Sequence, residues 1–313
     1  MYNQVLHDHL DGGLRPSTAK ELAKSINYKP LDEIDDVAIF FDRSSSTSLE
    51  DYLEAFTHTI ALMQTYSNLE QIAYEAAVDM HQNNIHFYES RYAPFYSVNN
   101  ALSPKDVITA INSGFKQAEN EFGIVSGLIL CGMRHDPDNV KAVADLAIEY
   151  KELIIGFDIA GPELNYLPSM YKDSFLKVKN EGINITIHAG EGDGVNSIQE
   201  ALDNGAKRIG HGVRIIEDIS DNNELGRTAD YILQNNIPLE ICITSNLHTN
   251  MYKSPQDHPI SRLYNLGFNI SINTDNRLMS NTSIDNELKI AKIAGVENPS
   301  SLLKYSASDS FLN

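Results

Sequence analysis

The chain has 313 residues, and 43 acidic side chains against 24 basic ones give it a formal charge of −19. That balance excludes nucleic acid and an anionic membrane surface as partners, because either demands a basic face. Two cysteines without C-x-x-C spacing exclude a disulfide framework and a thiolate zinc knuckle.

From the front, Met1 is followed almost at once by LHDHLDGG, with no apolar stretch of the signal-peptide kind. The longest apolar run, near 124–133, is about half of what a bilayer span needs. A soluble, cytoplasmic protein is expected, with Cys131 and Cys242 as buried reduced thiols. Short β-like runs fall near 4–10, 86–94, 125–134, 153–161, 184–191, 208–212, 239–246 and 270–275. Helical patterns lie between them, around 17–26, 48–83, 103–121, 138–151, 168–181, 196–205, 221–235 and 258–266, with another near 282–294. Ser103-Pro104 with Asp106 predicts an N-cap and an N1 proline, Gly123 predicts the stop of that helix, and Thr18 with Glu21 suggests a capping box.

Strand and helix thus alternate eight times without linker or repeat. Residues 1–313 read as a single α/β domain, a (β/α)8 barrel. Residues 12–85, between the first two strands, hold more helix than one crossover requires, which predicts a helical lid. Strand phase agrees. In LIIGFDIAG, Ile155, Phe157 and Ile159 share one face and Gly156, Asp158 and Ala160 the other; NITIHAGE and ISINTD divide in the same way. Asp158, His188 and Asp275 therefore point into the barrel near the C-terminal ends of strands, where this fold keeps its chemistry.

His7 and His9, at i and i+2 of a strand, project to one side. Alone, H-x-H is a weak signal that a pair of satisfied polar residues explains better. Three further strand ends carry HAGE at 188–191, GHG at 210–212 and NTDN at 273–276. Three imidazoles and a carboxylate form a borderline N/O set that suits Zn²⁺ best and Fe²⁺ or Co²⁺ next.

In order, LHDHLDGGLRPST, YESRYAP, GMRHDP, DIAGPE, IHAGE, RIGHG, LEICITSN and SINTDN resemble the adenosine deaminase family of the amidohydrolase barrels, from residue 6 almost to the C-terminus. The resemblance implies one Zn²⁺ held by His7, His9, His188 and Asp275, which lowers the pKa of a water toward about 7. It implies that His211 takes up the water's proton and that a protonated Glu191 donates to purine N1. Gly161 would offer its N–H to purine N3, and Asp11 would accept from the ribose 5′-hydroxyl. Leu49, Tyr52, Leu53 and Phe56 would form an apolar gate, although an amphipathic helix packed on the barrel accounts for them as readily. Asn276 stands where better-known members carry an aspartate that meets purine N7, and Pro162 replaces an aspartate common after the glycine. Asp158 is free to orient a metal ligand, and Asp8 has no role. The chain stops at DSFLN, where relatives continue into a helix, which bears on the packing of the closing seam.

The expected activity is hydrolytic deamination of adenosine and 2′-deoxyadenosine in purine salvage. The alternatives are a deaminase of adenine or another 6-substituted purine, and an inactive adenosine-binding protein. HLDG favours a nucleoside sugar, since base-specific relatives tend to carry glutamate at the position of Asp11. The absence of H-x-E with P-C-x-x-C and of H-E-x-x-H argues against nucleic-acid deaminases and metalloproteases.

Overall fold

Eight parallel strands curl into a closed barrel in the computed structural model, which describes residues 2–305 and 309–312. They are β1 (Tyr2–Val5), β2 (Phe87–Tyr92), β3 (Val125–Met133), β4 (Gly156–Ala160), β5 (Thr186–Ala189), β6 (Arg208–His211), β7 (Leu239–Ile241) and β8 (Ile270–Ile272). Ladders join β1 through β4 and β5 through β8 in sequence order. A bridge between Phe157 and Ile185 links the two halves. The remaining gap closes beyond the ends of β1 and β8, where Asp8 bridges Asp275 and the His9 N–H donates to the Asp275 carbonyl at 2.6 Å. The Asn273 side chain accepts from the N–H groups of Leu6 and His7 at 2.8 and 3.1 Å. The barrel's seam therefore runs through the H-x-H and TD motifs.

A ninth strand, β9 (Lys304–Tyr305), pairs antiparallel with the start of β1. Residues 309–312 lie beneath the barrel: the Phe311 ring stacks 3.6 Å from the Arg208 guanidinium carbon, and its N–H donates to Glu89 at 2.6 Å.

The insertion holds α1 (Pro16–Ser25), α2 (Lys29–Asp32), α3 (Val37–Phe41), α4 (Leu49–Leu53), α5 (Phe56–Leu62) and α6 (Tyr66–Gln82). Helix α7 (Pro104–Phe122) has the expected Ser103–Asp106 capping box and ends at Gly123 in left-handed backbone, φ 75°. After it come α8 (Pro137–Glu149), α9 (Lys172–Asn180), α10 (Val195–Asp203), α11 (Arg227–Gln234), α12 (Ile243–His248), α13 (Ile260–Asn265) and α14 (Ile284–Ile293). No helix among the described residues is long and apolar enough to cross a membrane. Both cysteines are buried free thiols.

Four expectations need correction. Thr18 caps nothing: α1 begins at Pro16, and the Thr18 hydroxyl instead donates to Glu75 of α6 at 2.5 Å. The first strand stops at Val5, and Asp8 and His9 continue it only as isolated bridges. The helix expected from 221 starts at Arg227, where the Asp218 carboxylate accepts from the N–H groups of Thr228 and Ala229. The strand expected over 239–246 is three residues long. Its β-branched run turns into α12 because the Glu287 carboxylate accepts from the N–H groups of Ile243 and Thr244, capping a helix from a distant segment.

Inside the barrel the filling is ionic. Arg91 donates to Asp158 at 2.7 Å and to Glu240 at 2.9 Å; Arg208 donates to Glu240 at 2.7 Å and to Glu89 at 2.6 Å. All five side chains are fully or almost fully buried. Burial would raise the pKa of Glu240, but the two guanidiniums overcome it and hold the carboxylate well below its usual range. Arg91→Met takes one charged partner from each of two buried carboxylates, Asp158 and Glu240, and is expected to cost about 3–5 kcal/mol in urea unfolding.

Candidate active site

Four strand ends deliver the central cluster. Nε2 of His9 and Nε2 of His188 stand 3.1 Å apart, and Oδ1 of Asp275 lies 3.3 Å from Nε2 of His7 and 3.5 Å from Nε2 of His9. Ligand bonds of about 2.0–2.1 Å in a tetrahedron put neighbouring donor atoms roughly 3.3 Å apart. The spacing is that of a coordination shell. Nε2 of His7 is buried without a hydrogen-bond partner, a cost that a cation removes.

The opposite ring nitrogens are tied down. Nδ1 of His7 meets Glu240 at 2.9 Å and Nδ1 of His188 meets Asp158 at 2.8 Å, so each Nδ1 carries a proton and each Nε2 presents its lone pair. Arg91 joins the two carboxylates. A second set, His7, His211, Cys242 and Asp275, also lies within reach of one ion. It is the poorer shell, because burial holds the Cys242 thiol well above its usual pKa and so protonated.

Glu191 sits beside this cluster, its Oε2 3.6 Å from Nε2 of His211. Burial pushes its carboxyl well above the usual range, and the charges of Asp275 and Glu163 add to the effect. The site therefore favours the protonated form of Glu191. Glu163 holds the loop in place by accepting from the N–H groups of Gly190, Glu191 and Asp193 at 2.7–3.1 Å. Burial also drives the pKa of His211 well down, which keeps the ring neutral. Two of these residues occupy left-handed backbone, His211 at φ 60° and Asp275 at φ 56°. Such backbone costs non-glycine residues roughly 1–2 kcal/mol, and it aims both side chains at the cluster.

Above the cluster opens a cavity of about 690 Å³. Asp11, Gly161 and Asn276 line it, as do Leu49, Tyr52, Leu53 and Phe56 of α4 and α5. One acceptor oxygen each of Asp11 and Asn276 is buried without a partner. Burial raises the Asp11 pKa to about 7. At Gly161, φ is 95° and a Cβ would press on Met133 and His135, so glycine is required there. Tyr52 is more than apolar cover, because its buried hydroxyl meets Ser280 Oγ at 2.7 Å. No lysine or arginine lines the cavity among the described residues.

Glu240, Arg91, Glu163 and Asn246 were not singled out in the sequence, although each lies inside a motif that was. A lone charge in an apolar run, as in LEI, was the available signal for Glu240. Asp8 now has partners: its carboxylate accepts from Tyr88, Thr274 and Arg277 at 2.5–3.0 Å, anchoring the backbone between the two histidines.

The parallel barrel gathers three imidazoles, a carboxylate and a buried acid at the C-terminal ends of its strands, the end at which this fold carries its chemistry. The family model for adenosine deaminase matches residues 3–301. Adenosine deaminase 1 of Streptomyces coelicolor is 44% identical over 299 residues, covering 91% of this chain and 75% of its own. The N6-mAMP deaminase of Arabidopsis superposes with a TM-score of 0.83 at 25% identity, over 99% of this chain and 93% of its own. A Zn-bound amidohydrolase from Burkholderia ambifaria, 21% identical, shares the fold with a TM-score of 0.79 over 99% and 82% of the two chains. The chain belongs to the adenosine deaminase family and is a metal-dependent hydrolytic deaminase.

Proposed function

We propose that this chain deaminates adenosine and 2′-deoxyadenosine to inosine and 2′-deoxyinosine, releasing ammonia, with one Zn²⁺ held by His7, His9, His188 and Asp275. The observation that carries the reading is the convergence of those four donors beside the protonated Glu191. The N/O donor set favours zinc, and the Burkholderia neighbour binds Zn. When bound, the ion lowers the pKa of a water and so supplies a nucleophile at neutral pH.

Glu191 gives its proton to purine N1 as the oxygen of the deprotonated water adds to C6. The remaining O–H proton passes to the C6 amino group, and the C6–N bond breaks to release ammonia. Glu191 regains a proton equal to the one the water gave up to solvent. His211 orients the attacking oxygen. Asp158 holds the His188 ring through Nδ1. Gly161 meets N3 with its N–H, Asn276 meets N7, and Asp11 accepts from the 5′-hydroxyl. Leu49, Tyr52, Leu53 and Phe56 exclude water from above. A lining without lysine or arginine supports a nucleoside over a 5′-phosphorylated substrate. The buried thiols fit a cytoplasmic setting.

Metal analysis of the purified protein, run beside rates on adenosine, deoxyadenosine, adenine and AMP, tests this directly. One zinc per chain and turnover of both nucleosides is the expected result. Preference for adenine would remove the ribose role of Asp11, and adenosine bound but not converted by zinc-replete protein would remove the activity.

Asp11 gives a stability test as well. Its folded pKa of about 7 lies above its ordinary 3.8, so the parent loses stability as pH rises from about 4 to about 7. Asp11→Asn removes that loss. Thermal melts should show no advantage for the variant near pH 4 and a full advantage above pH 7. The ceiling is roughly 4 kcal/mol, at about 1.4 kcal/mol per pKa unit. The same variant should raise the KM for adenosine.

A further inference from the structure

A line of hydrogen bonds runs from the backbone of α13 to His211, and its direction is set at the far end. The N–H of Ile260 donates to Nδ1 of His258 at 3.2 Å. A ring nitrogen that accepts a hydrogen bond carries no proton, so the proton of neutral His258 sits on Nε2. That Nε2 lies 3.2 Å from Oδ1 of Asn246, an oxygen that can only accept. The Asn246 amide is thereby oriented with its NH₂ toward His211, where Nδ2 stands 3.1 Å from Nδ1. An amide NH₂ only donates. Nδ1 of His211 must therefore be the acceptor, and the proton of the neutral ring sits on Nε2, the nitrogen that faces Glu191 and Asp275.

The second donor contact of the Asn246 NH₂, to the Met251 sulfur at 3.6 Å, fits the same orientation. His211, Asn246 and His258 are all buried. Burial takes the His258 pKa down to about 3, so it stays neutral and keeps Nδ1 open to Ile260. Asn246 rides on α12, whose first turn is pinned by the Glu287 carboxylate.

We propose that Asn246 and His258 are positioning residues for the deamination, which together present His211 to the attacking oxygen as an Nε2–H hydrogen-bond donor. The proposal rests on the reading of the site as a deaminase centre, and it changes one part of the family resemblance. A ring already protonated on Nε2 cannot take the water's proton there. It can hold the oxygen by one lone pair and leave another directed at C6.

Side-chain ¹⁵N spectra of histidine-labelled protein, zinc-loaded and metal-free, read the tautomers without any need for turnover. The expected result is Nε2–H for both His258 and His211, with the signals assigned by His258→Phe. Nδ1–H on His211 in the parent protein overturns the proposal. Asn246→Asp keeps the side chain's shape but offers only acceptors, so it should move the His211 proton to Nδ1. It should lower kcat by about 10²-fold or more, with zinc content retained and the KM for adenosine within about threefold. An unchanged kcat in a variant whose tautomer has moved also overturns it. His258→Gln, which can restore a donor, should retain at least about tenfold more activity than His258→Phe; equal losses count against the relay. If zinc-replete parent protein releases no ammonia from adenosine, the deaminase reading itself fails. If it is active while His211 carries its proton on Nδ1, only the relay fails.

Discussion

Glu191→Gln is expected to keep the barrel and its zinc while lowering kcat on adenosine by about 10²–10⁴-fold. The substitution is close to a single-property change. The carboxyl is held neutral by burial and by the charges of Asp275 and Glu163, so a neutral amide of the same shape removes no charge from the site. The amide still offers an N–H to a purine nitrogen, which predicts a KM near that of the parent. It cannot give up a proton. Metal analysis and steady-state rates on one preparation separate the outcomes: a kcat within tenfold of the parent ends the assignment of Glu191 as the acid. The parent's pH profile should agree in sign. Turnover needs the protonated form, so activity falls as pH rises through the elevated pKa of Glu191, and Glu191→Gln should lose that limb.

Asp275→Asn is expected to lose zinc affinity and activity together, by about 10-fold to 100-fold or more in metal binding. Asparagine is the better probe than alanine here. Residue 275 sits at φ 56°, a conformation that asparagine tolerates and alanine resists by roughly 1–2 kcal/mol. Alanine would mix backbone strain with loss of a ligand. Asparagine keeps the turn and one oxygen and removes the negative charge that burial would otherwise neutralise and that His7, His211 and His9 sustain. Titration of the metal-free variant with zinc, followed by activity, measures both effects. Full metal occupancy with normal turnover would overturn the proposed ligand set.

The barrel and the cluster were legible for a simple reason. Each motif is short and contiguous, and each falls at the end of an apolar run, so HAGE, GHG and TD announce themselves one at a time. What joins them is not contiguous. Glu240 supports His7 from 233 positions away, and Arg91 ties Glu240 to Asp158. No window along the chain contains such a lattice.

Strand alternation also reached the right residues by an incomplete route. It assigns Asp275 to the inner face by counting in twos from Ser271, yet β8 ends at Ile272 and a left-handed turn does the aiming. His211 owes its direction to the same kind of turn. Helix α12 was hidden outright, because Ile241 to Thr244 have strand-like side chains and the cap that bends them comes from Glu287.

The place where the wall of the cylinder is joined has an energetic consequence. Its last backbone pairing, His9 to Asp275, is made by two of the residues proposed to grip the ion. A cation held there would act as a rivet through both edges of the sheet, so binding it would favour the closed barrel. Part of the affinity for the ion would then appear as rigidity of the staves themselves, and losing the ion would slacken them.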